Sequence, residues 1–299
     1  MERRGLLFIV LSAACFGSGS IFARFAYDGG INVYTLLAVR FTIAASAMYA
    51  YSRLTRTDLR LGRHDLRTVL LLGGVGYASM AFLYFGSIQY IPVSLVALLT
   101  YTYPSIVTVL AFFFLHESLD RQKLVALLLA TAGCALTVWS PGLTVNLYGA
   151  TLAFTSALVY SVYIIVASKY TAHLNPKVMT FYITLSCAVV YVGYGAATGC
   201  IDLGLSAGTY AAVAALAVIP TVLGNIFFFS GLHLLGASRT ALLSTIEPFY
   251  TVILATILFR EAISPTQFGG GLLIISAVVL LNRRRETPAA KKETTGTPL

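Results

Sequence analysis

Residues 94–117 read SLVALLTYTYPSIVTVLAFFFLHE, and residues 238–261 read SRTALLSTIEPFYTVILATILFRE. Moving the chain by 144 positions lays the first stretch on the second without a gap. Ser94 falls on Ser238, Ala97-Leu98-Leu99 on Ala241-Leu242-Leu243, Pro104 on Pro248, Leu110 on Leu254, Ala111 on Ala255 and Glu117 on Glu261. Chance likeness between Leu/Ala-rich helices matches leucines and alanines, but it does not place a proline and a glutamate at one offset. The same shift carries Phe16-Gly17 onto Tyr160-Ser161. The chain therefore reads as one unit used twice.

Outward from these stretches the sequence stays apolar. Of its 299 residues 58% are hydrophobic and 10% charged, where a soluble domain carries roughly 25% charged; the mean hydropathy is +0.84. A water-soluble fold of this length cannot bury so much apolar surface. That excludes a soluble enzyme, a nucleic-acid binder and a disordered chain. In lipid the backbone must satisfy its own hydrogen bonds, and a helix needs about 20 apolar residues to cross. Ten segments meet this, at roughly 5–27, 33–52, 68–88, 94–115, 123–140, 147–167, 178–197, 209–231, 240–259 and 266–282. Their unbroken apolar runs lack the period-two alternation of barrel strands. The predicted fold is an all-α integral membrane protein with ten transmembrane helices. Its turns are short: Asp28-Gly29-Gly30, Ile91-Pro92-Val93 and Ser140-Pro141-Gly142. The cysteines, Cys15, Cys134, Cys187 and Cys200, show no metal spacing and no disulfide framework.

Positive charge sets the orientation. Seventeen of the 20 Lys and Arg fall on the N-terminal side of the membrane, in segments around Arg3, Arg53–Arg67, Arg121, Lys169–Lys177, Arg239 and Arg283–Lys292. Across the membrane there is only Arg260, while Arg24 and Arg40 lie inside spans. This asymmetry predicts that both termini are cytoplasmic. The net charge of +9 thus reads as topology and not as affinity for nucleic acid. With five spans per copy, an odd number, the second copy enters the membrane upside down. The predicted units are residues 1–140 and 141–283, two inverted five-helix repeats, followed by a disordered cytoplasmic tail at 284–299. Inverted repeats recur in secondary transporters, which hold substrate near the midplane between halves that rock for alternating access.

The chain resembles the drug/metabolite transporter superfamily, and within it the EamA-like ten-helix permeases, over essentially residues 5–283. The likeness is carried by Ala38-Val39-Arg40-Phe41, Pro92-Val93-Ser94, Tyr103-Pro104, His116-Glu117-Ser118-Leu119, Gln122 and Gly133. In the second copy it is carried by Gly236-Ala237-Ser238, Glu247-Pro248, Arg260-Glu261-Ala262-Ile263 and Gln267. His116 and Arg260 stand where the family often has Gly, and Phe16 where it often has Trp. The resemblance implies secondary transport of small metabolites in the bacterial inner membrane, often export of amino acids or related compounds. Import or exchange of a larger metabolite, such as riboflavin, a purine or a nucleotide sugar, is the alternative. It also implies a cavity ringed by spans one, three, four, six, eight and nine.

The candidate site residues are few. Glu247 is the one acidic residue deep in a span; ionisable groups at such depth are costly and face the bundle interior or water. It binds a cationic group or carries a coupling proton, or else it caps backbone freed by Pro248. Arg40 pairs with Glu247, holds a substrate carboxylate, or snorkels outward. Tyr84, Tyr101, Tyr160 and Tyr163, among other span tyrosines such as Tyr77 and Tyr103, offer stacking surfaces or core packing. Asn225 bonds substrate or a neighbouring helix. Pro104 and Pro248 are placed symmetrically as hinges or static kinks, and Glu117 and Glu261 are structural corners. An intramembrane enzyme would need paired catalytic groups at depth, and a channel a ring of repeated charges; neither pattern is present. There is no Walker motif, no cofactor motif and no metal cluster. The expected partners are a small-molecule substrate and the lipid bilayer, with protons as the candidate coupling ion and the protein a monomer or homodimer.

Overall fold

The computed structural model describes residues 2–91, 96, 99–138, 146–170, 173–259 and 265–282. Pro92-Val93, Ser140-Pro141-Gly142, Arg260-Glu261 and the tail 284–299 lie outside the described residues. Among the described residues all regular structure is helical. Ten rods follow one another: α1 (Glu2–Asp28), α2 (Val33–Leu54), α3 (Arg63–Ser87), α4 (99–115), α5 (Arg121–Val138), α6 (Leu147–Tyr170), α7 (Pro176–Thr198), α8 (Ala207–Leu235), α9 (237–259) and α10 (Pro265–Asn282). Six of them, α1, α2, α3, α6, α7 and α8, are long and apolar enough to cross a membrane. Local chemistry sets the ends. Asn32, Asn175 and Ser206 accept the exposed backbone N–H groups of Thr35, Lys177 and Thr209 at the starts of α2, α7 and α8.

The two copies break at matching places. In α4 the helix is interrupted at residues 101–102 and restarts as Tyr103–Leu115; in α9 it is interrupted at residues 245–246, 144 positions on, and restarts as Glu247–Phe259. The backbone N–H groups of Thr102 and Ile246 each donate to the carbonyl three residues back, at 3.4 and 3.3 Å. Pro104 and Pro248 therefore sit in the first turn of a new helix, where a proline removes no intrahelical bond. The interruptions precede the prolines instead of falling on them. Two π-helical segments, Leu72–Tyr77 in α3 and Ala217–Gly224 in α8, overlap under the same shift.

Packing repeats the pattern. α1 packs on α8 as α6 packs on α3, α9 packs on α1 as α4 packs on α6, and α2–α7 and α5–α10 pair with each other. Moving every helix number by five maps this set onto itself, which is the mark of a pseudo-twofold. Phe113, Phe114, Leu128, Val189 and Phe268 face outward, as lipid contact allows and water would not.

At one end the Glu117 carboxylate helps tie the halves together. His116 closes α4 in a left-handed conformation (φ 53°), and the turn brings Glu117 to the start of α9. Its Oε1 accepts the N–H of Ala237 at 3.2 Å and its Oε2 meets Lys123 Nζ at 3.0 Å. Gly236, at φ +78°, leaves the room, since a Cβ there would stand 3.2 Å from Oε1. Burial pushes the Glu117 carboxyl up, but hydrogen bonds from Ser238 and Lys123 outweigh it and hold the pKa below the usual carboxylate value. A negative charge also complements the helix start. This contribution is present above the unfolded carboxylate pKa and is lost as pH falls through the lowered folded one. Glu117→Gln is expected to cost about 2 kcal/mol near neutral pH, seen as a lower melting temperature in detergent, with the gap to wild type closing in acid. Equal melting at neutral pH would leave Glu117 without this role.

Candidate functional site

α1 is interrupted at Ser18, whose hydroxyl donates to the Cys15 carbonyl at 2.6 Å. Beside it, Gly17 lets α9 come close: a Cβ on Gly17 would stand 3.0 Å from the Glu247 carbonyl oxygen. Thr251 Oγ1 donates to the Gly17 carbonyl at 3.1 Å. The broken segments of α1, α4 and α9 thus meet in the middle of the bundle, where helical packing is incomplete. The space they leave is a cavity with about 700 Å³ of atom-free volume, counting its mouth.

Seven of its fifteen lining residues are aromatic. Tyr77, Tyr84 and Phe85 come from α3, Tyr101 and Tyr103 from α4, Tyr160 from α6 and Phe16 from α1. Tyr160 meets Tyr103 edge to face at 5.0 Å, and both Phe16 and Tyr160 stand 6.2 Å from Phe228. Phe16 and Tyr160 are equivalent under the 144-residue shift, as are Tyr103 and Glu247. The cavity is therefore built around the pseudo-twofold.

Two charged groups enter it. Glu247 opens the second piece of α9, with the Tyr101 hydroxyl within hydrogen-bonding reach. Arg40 reaches in from α2, which adds that helix to the expected ring. Arg40 does not snorkel: it is 4% exposed, its Nε donates to Thr221 Oγ1 at 2.7 Å, and its guanidinium lies over the rings of Phe41 and Phe85. Nor do Arg40 and Glu247 form an ion pair; the salt bridges among the described residues lie elsewhere.

Of the residues expected from the sequence, Glu247, Arg40, Tyr84, Tyr101 and Tyr160 line the cavity. Tyr163 and Asn225 stand one layer behind. Tyr163 is 2% exposed and stacks on Tyr160 at 5.9 Å. Asn225 Nδ2 donates to the Thr221 carbonyl at 2.6 Å and to the Tyr77 hydroxyl at 3.2 Å, so it fixes a wall residue from outside. Ser20, Thr100 and Pro220 also line the cavity, as does Phe16, which the sequence marked only through the repeat and the family resemblance. The signal for Ser20 was the Gly17-Ser18-Gly19-Ser20 run inside an apolar span, a composition that favours a helix interruption. Among the described residues no three His, Cys, Asp or Glu side chains converge as metal ligands would.

The EamA-like transporter family model matches residues 3–139 and again residues 147–283. The chain belongs to the EamA-like transporter family. Similar curated proteins include an uncharacterized transporter of Archaeoglobus fulgidus, 26% identical, covering 90% of this chain and 92% of its own. The uncharacterized transporter YcbK of Bacillus subtilis is 24% identical, covering 89% and 88%, and one from Synechocystis is 22% identical, covering 89% of each. A crystal structure of a protein 19% identical superposes with a TM-score of 0.79, over 94% of this chain and 98% of that one. It shares the fold. This EamA-like protein is thus a multi-pass, all-α membrane transporter, and its central cavity lies between the two matched repeats.

Proposed function

We propose that the protein is a secondary transporter that moves a small metabolite by alternating access, exporting amino acids or related compounds. The observation that carries this reading is a single carboxyl, Glu247, set in an aromatic cavity between two repeats. A carboxylate there recognises an ammonium group, and rings such as Tyr84, Tyr103 and Tyr160 cover an apolar or aromatic body. The interruptions in α4 and α9 supply points at which each half can tilt. On the charge map, with both termini in the cytoplasm of a bacterial cell, the lining residues run from mid-span toward the outer face. Glu117 then holds the cytoplasmic side closed. Residues 1–140 and 141–283 are the rocking halves.

The test is an exchange screen. Proteoliposomes are loaded with a metabolite mixture, and the compound that exchanges in a protein-dependent way is identified. Exchange of an amino acid supports the reading. Exchange of only riboflavin, purines or nucleotide sugars redirects it to a larger cargo, and no exchange of any compound removes it. For the compound found, Tyr84→Ala and Tyr160→Ala are each expected to raise the Kd about tenfold, the loss of roughly 1.4 kcal/mol of ring contact. Unchanged binding in both variants would assign these rings to packing alone.

A further inference from the structure

We propose that Arg40 and Thr221 form a subsite in the cavity wall for a small monoanion, either the carboxylate of the transported compound or a free oxyanion. The proposal rests on reading the cavity as the transport site, and it adds a ligand group that Glu247 does not select. Pro220 lies inside the π-helical part of α8, where carbonyls pair five residues on. The Thr221 hydroxyl donates to the Leu216 carbonyl, five residues back, at 2.7 Å. With its proton committed there, Thr221 Oγ1 offers a lone pair, and Arg40 Nε donates to it at 2.7 Å. Thr221 is fully buried, so this contact is shielded from competing solvent.

The guanidinium is thereby fixed in position. Its Cζ lies 5.0 Å from the Phe41 ring centroid and 4.8 Å from that of Phe85. Among the described residues it makes no ion pair. Nη1 is buried and has no hydrogen-bond partner, although Arg40 lines the cavity. A permanently charged guanidinium at membrane depth is costly unless paired. Its planar fork of donors matches a carboxylate or another flat oxyanion. Rings flank the guanidinium and Thr221 holds Nε, while Arg40 lines the cavity, so an anion would approach it from there.

Benzoate and nitrate separate the two sources. Equilibrium binding of radiolabelled benzoate is measured on the purified full-length protein in detergent, for wild type, Arg40→Gln and Thr221→Val. Each variant is first checked for monodisperse elution. Wild type is expected to bind benzoate, with Arg40→Gln at least tenfold weaker. Thr221→Val, which keeps the charge but releases its orientation, is expected to be several-fold weaker. Nitrate competing as well as unlabelled benzoate places a free oxyanion in the subsite; benzoate winning by more than tenfold places the carboxylate of a larger compound there. Benzamide should not compete. No benzoate binding by wild type, or equal binding by wild type and both Arg40→Gln and Thr221→Val, overturns the proposal. Metabolite exchange that proceeds while Arg40→Gln binds benzoate normally removes the subsite and leaves the transporter reading. Arg40-dependent benzoate binding without any exchange does the reverse.

Discussion

Glu247→Gln should cut transport in proteoliposomes by about 10- to 100-fold while the protein still folds and inserts. The substitution keeps the shape of the side chain and removes only its charge and its capacity to carry a proton. A hydrogen bond to a charged group is worth about 1.5–3 kcal/mol, which converts to that range of affinity. Glu247 lies in the first turn of a helix restart with the Tyr101 hydroxyl beside it, so a neutral amide keeps a hydrogen-bonding partner and the local fold is spared. The pattern of loss distinguishes two roles. If Glu247 binds the cargo, equilibrium exchange and gradient-driven uptake fail together. If it carries the coupling proton, exchange persists and only uphill movement on a proton gradient is lost. Wild-type transport by the variant at every pH tested would reject both.

The second large effect is expected at Gly17. An added Cβ would stand 3.0 Å from the Glu247 carbonyl oxygen, 3.1 Å from Tyr250 Cβ and 3.2 Å from Thr251 Oγ1. Two of these three atoms belong to backbone or to the stiff base of a side chain, so α1 and α9 have to separate. Gly17→Ala asks for a few tenths of an ångström and should be mild. Gly17→Val adds a branched side chain in the same place and should cost about 1–3 kcal/mol, the usual range for overpacking. The Thr251–Gly17 hydrogen bond, 3.1 Å long, is lost with it. Thermal unfolding of the three proteins in one detergent gives the ordering, and Gly17→Val melting with wild type would show that the helices have slack at this crossing.

Span positions were legible in the sequence because lipid leaves the backbone so few alternatives. The expected segment 33–52 is the helix Val33–Leu54, and 266–282 is Pro265–Asn282. Helix interruptions were less legible. Pro104 and Pro248 drew attention to the right turns, yet the breaks fall just before them, because proline is content in a first helical turn. Burial of tyrosines was half legible. Tyr160 and Tyr163 share a helix face by spacing, but one face is wide enough to hold a cavity residue and the residue packed behind it. The setting of Arg40 was not legible at all. It depends on Thr221, 181 residues away, whose own proton is committed to the Leu216 carbonyl.

Tyr103 and Glu247 occupy equivalent places in the two repeats. In the proposed exchange of conformations between the halves, a phenol in one place and a carboxyl in the other, like the Phe16–Tyr160 difference, would keep the two end states from holding a cargo identically. The direction of net movement would still follow the gradients across the membrane; what the unmatched side chains would set is the concentration on each side at which the carrier fills.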